Sequence, residues 1–147
     1  MKNILVAINH EKNAPLLIAK AEEFARSFHS KIWILHVNEP DPDSFIGLEA
    51  GPQYAQDKRV AKRKKEAELV RQLEAQLKEK DIDAQAVIIE GPTEKMIKKE
   101  VKQLNIDLLI AGHHKRNFFY QLFTGNIEQD IIEDLDVPVL LVPVQKS

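Results

Sequence analysis

Gly112 and Gly125 bracket a loop between an apolar run, Asp107–Ala111, and a segment with helical spacing of Ile127, Ile131, Ile132 and Leu135. A buried strand that opens into a loop ending at a helix N-terminus brings backbone N–H groups and the positive end of the helix dipole to one point. That construction suits phosphate and other anions. Lys115 adds an ammonium inside the loop. Asn126 is among the best N-cap residue types, and Gln129 falls at the N3 position. The chemistry indicated is anion binding rather than catalysis. The chain shows no Ser-His-Asp arrangement, no paired carboxylates on one element and no P-loop, and no base stands where it would activate water near Lys115.

Other residue groups carry weaker signals. His10, His36, His113 and His114 all fall at or near the carboxyl ends of apolar runs, so a metal or anion site between strands is one reading. No spacing among them is a metal motif in its own right. The favoured reading packs His36 at a strand end and leaves the others solvated. Lys58, Arg59, Lys62, Arg63, Lys64 and Lys65 form the one basic cluster. The spacings Lys62–Glu66, Lys64–Glu68 and Glu74–Lys78 describe a solvated helix face rather than a nucleic-acid surface. The apolar Phe118, Phe119, Tyr120, Leu122 and Phe123 read equally as a partner surface or as a short turn packed on the sheet.

Elements that would position these residues follow from periodicity. Asn3–Ile8, Lys31–Val37, Gln85–Glu90, Asp107–Ala111 and Val137–Val142 read as strands buried on both faces. Between them lie four helical patterns. The first places Leu17, Ala21, Phe24, Ala25 and Phe28 inward. The second runs from about Asp57 to Lys80, with Leu69, Val70, Leu73 and Leu77 as its stripe. The third begins at Gly91-Pro92-Thr93 and turns Met96, Ile97, Val101 and Leu104 inward, and the fourth follows Gly125. The segment from Asn38 to Pro52, rich in Pro, Gly and acid, reads as a long loop of the kind that forms lids. Pro138 cannot donate to a ladder, so the last strand must lie at an edge or begin pairing after it. Strict alternation of strand and helix predicts one doubly wound five-stranded parallel sheet, Rossmann-like, with helices on both faces. Its ligand crevice would lie beyond the strands' carboxyl ends, at Asn9-His10, Val37-Asn38, Gly91 and Gly112-His113-His114.

The bulk composition narrows the field. The chain has 147 residues, 44% hydrophobic and 30% charged, with a formal net charge of −2 and no Cys. One domain over residues 1–147 is expected, able to bury its own core without disulfides. The charge gives no reason to expect nucleic acid as partner. The apolar runs fall far below the roughly 20 residues that span a bilayer, so a cytoplasmic chain with no membrane partner is expected.

ILVAIN at the start, IWILHV in the second strand, and the stretch from Asp107 to the VPVLLVP ending together resemble the universal stress protein family, end to end. The resemblance implies an adenine-nucleotide alpha-hydrolase-like fold. It also implies a nucleotide motif of Gly, two residues, Gly, nine residues, Gly, then Ser or Thr. Here the spacing is kept as Gly112, His113-His114, Lys115, Arg116–Thr124, Gly125, Asn126. Lys115 replaces a Gly, Asn126 replaces a hydroxyl residue, and Asn9 stands where nucleotide-binding members usually have Asp. The crevice implied by the resemblance comprises Ala7, Asn9, Val37, Gly112, His113, Lys115, Gly125, Asn126 and Ile127. Gly112-His113-His114 followed by Phe118-Phe119-Tyr120 looks most like the A-type branch, which does not retain ATP. The function expected is a non-enzymatic, dimeric stress-response module with a degraded nucleotide site. The alternative is an ATP- or AMP-binding switch or weak ATPase that uses the Gly112–Asn126 loop. In the family the terminal strand pairs with its copy, so Val137, Val139, Leu140, Leu141 and Val142 are the expected homodimer edge.

Overall fold

A computed structural model of the chain describes residues 1–8, 12–38, 52–113 and 135–144, with the side chains of 52–57 and 113 excepted. Its elements are β1 (Asn3–Ala7), α1 (Ala14–Phe28), β2 (Lys31–Asn38), α2 (Pro52–Glu79), β3 (Ala84–Glu90), α3 (Thr93–Gln103), β4 (Leu108–His113) and β5 (Val139–Pro143). The five strands form one sheet in the order β3-β2-β1-β4-β5, with every neighbouring pair parallel. The chain winds outward from β1 to β3, then returns to the other side of β1, which makes β1 and β4 the pair where the order reverses.

Successive strand residues point to opposite faces, and the core divides accordingly. Ile4, Val6, Ile32, Ile34 and Ile110 pack with Ala21 of α1 and with Val70, Leu73 and Leu77 of α2. Leu5, Ala7, Leu35, Leu109 and Ala111 pack with Ile97 and Val101 of α3 and with Leu135. Ile4, Leu5, Ile32, Ile34, Leu109 and Ile110 are fully buried. Central strands are therefore apolar on both faces, and the unbroken hydrophobic runs follow from that. Leu135 is helical and buried. Ile127, Ile131 and Ile132, which would complete the fourth helix, lie outside the described residues.

Several details differ from the periodicity. Phe28 is 50% exposed; it ends α1 three residues before β2 begins, at the rim of the sheet, and stacks on Phe24 with centroids 6.4 Å apart. Ile18 is buried in its place. The second helix begins at Pro52, about a turn and a half before the expected start near Asp57, because its first turns carry no apolar stripe to mark them. On α3, Ile97 and Val101 are buried together with Glu100, while Met96 and Leu104 are half-buried. Met96 lies across Gly91, whose φ of 147° is a left-handed-side conformation that disfavours any side chain; a Cβ there would stand 3.0 Å from Met96 Cγ.

Pro138 behaves as its chemistry requires. Pairing of β5 begins at Leu109↔Val139, and the Pro138 carbonyl accepts from Leu109 N–H at 3.0 Å. The strand also lies at the sheet's edge.

Two carboxylates tie the sheet's ends. Asp107 Oδ2 accepts from Lys2 N–H at 2.8 Å and Asn3 N–H at 2.9 Å, so the residue preceding β4 holds the start of β1. Glu74 of α2 accepts from Ala86 N–H on the edge strand β3. Each carboxyl is held below its ordinary range, first by those backbone N–H donors and against the cost of burial. A lowered native value means stability that is present above the ordinary carboxylate range and lost as pH falls through the native value. Asp107→Asn is therefore expected to cost about 1 kcal/mol at neutral pH, modest because the group is exposed. The difference from the parent chain should begin to narrow near the ordinary carboxylate value, about pH 4, and close as pH falls through the lower native value in urea melts; an equal difference at pH 7 and pH 3 would contradict the assignment.

Candidate functional site

The carboxyl edge of the sheet collects what the described residues contribute. Ala7 ends β1, Val37 and Asn38 end β2, Gly91 follows β3, and Gly112 is the residue before the last of β4. Strands β2, β1 and β4 are neighbours, so these positions share one rim. On the α3 face, β1 finishes on Ala7, 5% exposed, and β4 carries Ala111, 1% exposed, two residues before its end. Gly91 N–H donates to the Asn38 carbonyl at 3.0 Å, which extends the β2–β3 pairing past the last strand residue.

Of the expected site residues, Ala7, Val37 and Gly112 are brought to this rim: Ala7 and Gly112 are buried, Val37 half-buried. Asn9, His10, His114, Lys115, Gly125, Asn126 and Ile127 lie outside the described residues, as does the aromatic segment 118–123. The side chain of His113 is likewise outside, although its backbone closes β4 against Pro143. Val137, Val139, Leu140 and Leu141 are half-buried on the edge strand and its approach, and Val142 is buried.

His36 is described in full. It is 8% exposed, with Nδ1 3.1 Å from the Ile8 carbonyl oxygen and Nε2 2.8 Å from Glu66 Oε2. Both ring nitrogens are thus occupied, which matches a packed strand-end histidine and leaves neither nitrogen open to a metal. Among the described residues no group of three metal-ligating side chains occurs.

Glu66 differs from the helix-face expectation. It was expected to pair with Lys62 across a solvated helix face, yet it turns inward to His36. Its position explains why: 66, 70, 73 and 77 continue one stripe, so Glu66 extends the buried face of α2 by a turn. An acid prolonging an apolar stripe is a legible signal for a buried polar partner. Of the other expected pairs, Glu74–Lys78 forms at 3.2 Å. Arg63, from the basic cluster, instead reaches across to Glu90 at 2.8 Å. Residues 63 and 66, one turn apart, therefore hold α2 to the carboxyl ends of β3 and β2.

A parallel doubly wound sheet with a small-residue rim where its order reverses places the chain among α/β proteins that take ligands at the strands' carboxyl edge. The family model described as Universal stress protein family matches residues 1–143, and the chain belongs to that family. Its relatives include the Universal stress protein A homolog of Haemophilus influenzae, 24% identical over 98% of this chain and 97% of the relative. Among solved structures, the universal stress protein UspA from Lactobacillus plantarum superposes with a TM-score of 0.70 at 18% identity, over 96% of this chain and 97% of that one. A family protein from Arabidopsis thaliana with AMP bound gives a TM-score of 0.59 at 18% identity, over 99% and 93%. At these identities the structural likeness speaks for the fold. Among the described residues no helix is long and apolar enough to cross a membrane.

Proposed function

We propose that this chain is a single-domain, cytoplasmic, homodimeric universal stress protein of the A-type. It acts as a regulatory module without robust catalysis and with a degraded nucleotide site. The observation that carries the reading is the loop motif, in which Lys115 and Asn126 replace a glycine and a hydroxyl residue while the glycine spacing is kept. A side chain at 115 costs about 1–2 kcal/mol if the left-handed conformation is retained, and it blocks close approach of backbone to phosphate. Asn126 lacks the hydroxyl that would stand beside a phosphate or its Mg²⁺. Asn9 is a weaker acceptor for ribose or base than a carboxylate.

The second reading, an ATP- or AMP-binding switch, is favoured by the intact Gly112-to-Gly125 spacing, by the ammonium of Lys115, and by the AMP held in the Arabidopsis relative of the same fold. One experiment separates the two. Purified protein is denatured and the supernatant chromatographed for released nucleotide, and the native protein is melted with ATP, AMP and Mg²⁺. The expected result is no released nucleotide and no shift in Tm. Stoichiometric AMP or ATP, or a concentration-dependent shift, would replace the first reading with the second.

A further inference from the structure

Strand β3 closes the sheet on the side opposite β5, and its own residues carry none of the usual defences of an edge. From Ala84 to Glu90 there is no proline, no lysine and, before Glu90 itself, no charge. Residues 86–89 are apolar and half-buried. Such an edge accepts an added strand unless something occupies its outward backbone groups.

Pairing with β2 decides which groups those are. The Asp83 carbonyl accepts from Ile32 N–H at 2.9 Å, and Gly91 N–H donates to the Asn38 carbonyl at 3.0 Å. Residues 83 and 91 thus turn toward β2, and backbone direction alternates between them. The N–H and C=O groups of 86 and 88 therefore face the open side. There Ala86 N–H donates to Glu74 Oε2 of α2. That donor is the first cause holding the Glu74 carboxyl below its ordinary range, so the acceptor is ionised at neutral pH. Residues 63, 67 and 74 share one flank of α2. Arg63 is engaged by Glu90 at 2.8 Å, and Ala67 has no polar group to offer. Among the described residues Ile88 N–H has no hydrogen-bond acceptor.

We propose that the β3 edge is a self-pairing surface that fits the β3 edge of a second copy, and that Glu74 keeps it closed by occupying Ala86 N–H. Antiparallel pairing about a twofold axis at Val87 sets Ala86 opposite Ile88 of the other copy, and the two exchange both backbone hydrogen bonds. Val87 then meets its own counterpart, and Glu90 falls opposite Ala84, so no like charges oppose each other. The Glu74 carboxylate of each copy stands in one of the two central rungs, and both are blocked. This surface lies at the opposite edge from the expected β5 seam and away from the ligand rim. In a chain also joined through β5 the two edges would alternate, and assembly would run on rather than close.

The test compares the full-length chain with Glu74→Ala and with Glu74→Met, which keeps the side chain's length and loses its acceptor. With rising concentration, the mass of both variants by light scattering should reach about twice that of the parent or more. Glu74→Gln keeps an oxygen for Ala86 N–H and should stay at the parent's mass. Adding Ala86→Pro to Glu74→Ala removes the outward N–H and spares the ladder to β2, so the mass should return to the parent's. In the parent, the Ala86 amide should exchange about tenfold more slowly than that of Ile88; in the associated variants both should be protected. Open-edge variants that keep the parent's mass would overturn the proposal. So would association of Glu74→Gln, or association that survives Ala86→Pro, which is how an unfolded chain would aggregate. An Ala86 amide no better protected than Ile88 would overturn it from the unmodified protein, however the variants fold.

Discussion

Replacing Lys115 by Gly and Asn126 by Ser together is expected to create nucleotide binding that the parent chain, on the proposed reading, lacks. The two changes act on different parts of the loop. Lys115→Gly removes the Cβ and returns a position that takes φ > 0 at little cost, so that N–H groups can approach a phosphate. Asn126→Ser keeps a strong N-cap type, so the helix start loses little, and it adds a hydroxyl at the phosphate. With ATP or AMP at a hundredfold excess over Kd, mass action stabilises the native state by about 2.7 kcal/mol. For a chain of this size that raises Tm by roughly 5–10 °C. Either single variant should give a smaller shift, since wrapping without the hydroxyl, or the hydroxyl without wrapping, leaves the site incomplete. A double variant that melts at the same temperature with and without nucleotide would move the defect elsewhere in the crevice. Asn9 would be the next position to change, to Asp.

How far the sequence foretold the structure differs between sheet and site for a physical reason. Strands buried on both faces announce themselves, and Ile4 to Val6 or Leu109 to Ala111 have no other reading at that length. Strict alternation with helices then leaves few ways to order them, and Pro138 limits β5 to an edge or to pairing that begins after it; both hold. Side-chain pairing was harder, because partners come from distant elements. His36 and Glu66 lie thirty residues apart, and a local rule for helix pairs assigned Glu66 to Lys62 instead. Asp107 looked like the first residue of a strand, yet its carboxylate closes the start of β1, a contact across more than a hundred residues that periodicity does not report. Phe28 failed differently. Its spacing is right for the inner face of α1, but a helix can outrun the sheet it covers, and periodicity carries no information about where the sheet stops. The nucleotide loop was legible as a motif, in its glycines and its spacing. The ligand preference proposed for it rests on the side chains at 115 and 126, which the described residues do not include.

Leu141→Lys is expected to abolish dimerisation, and the structure shows how to separate that effect from damage to the subunit. Strand β5 bonds to β4 on one side only. Pro138 offers its carbonyl to β4, and backbone direction alternates along a parallel strand. The peptide groups of 140 and 142 therefore turn toward β4, and those of 139, 141 and 143 turn toward the open edge. Val139, Leu140 and Leu141 are all half-buried, apolar side chains on an edge that a second copy would cover. A lysine at 141 puts an ammonium into that seam and should shift the protein to monomer by light scattering. It also disturbs packing, because Leu141 lies against the α3-side core. Leu141→Pro removes the outward N–H while keeping an apolar side chain, and edge strands tolerate proline where the N–H faces away from the sheet. Both variants should be monomeric, with the proline variant the closer to the parent in the urea midpoint of the isolated subunit. A proline variant that remains a dimer with unchanged affinity would show that the β5 edge is not the seam. The two copies would then have to meet through another surface of the subunit.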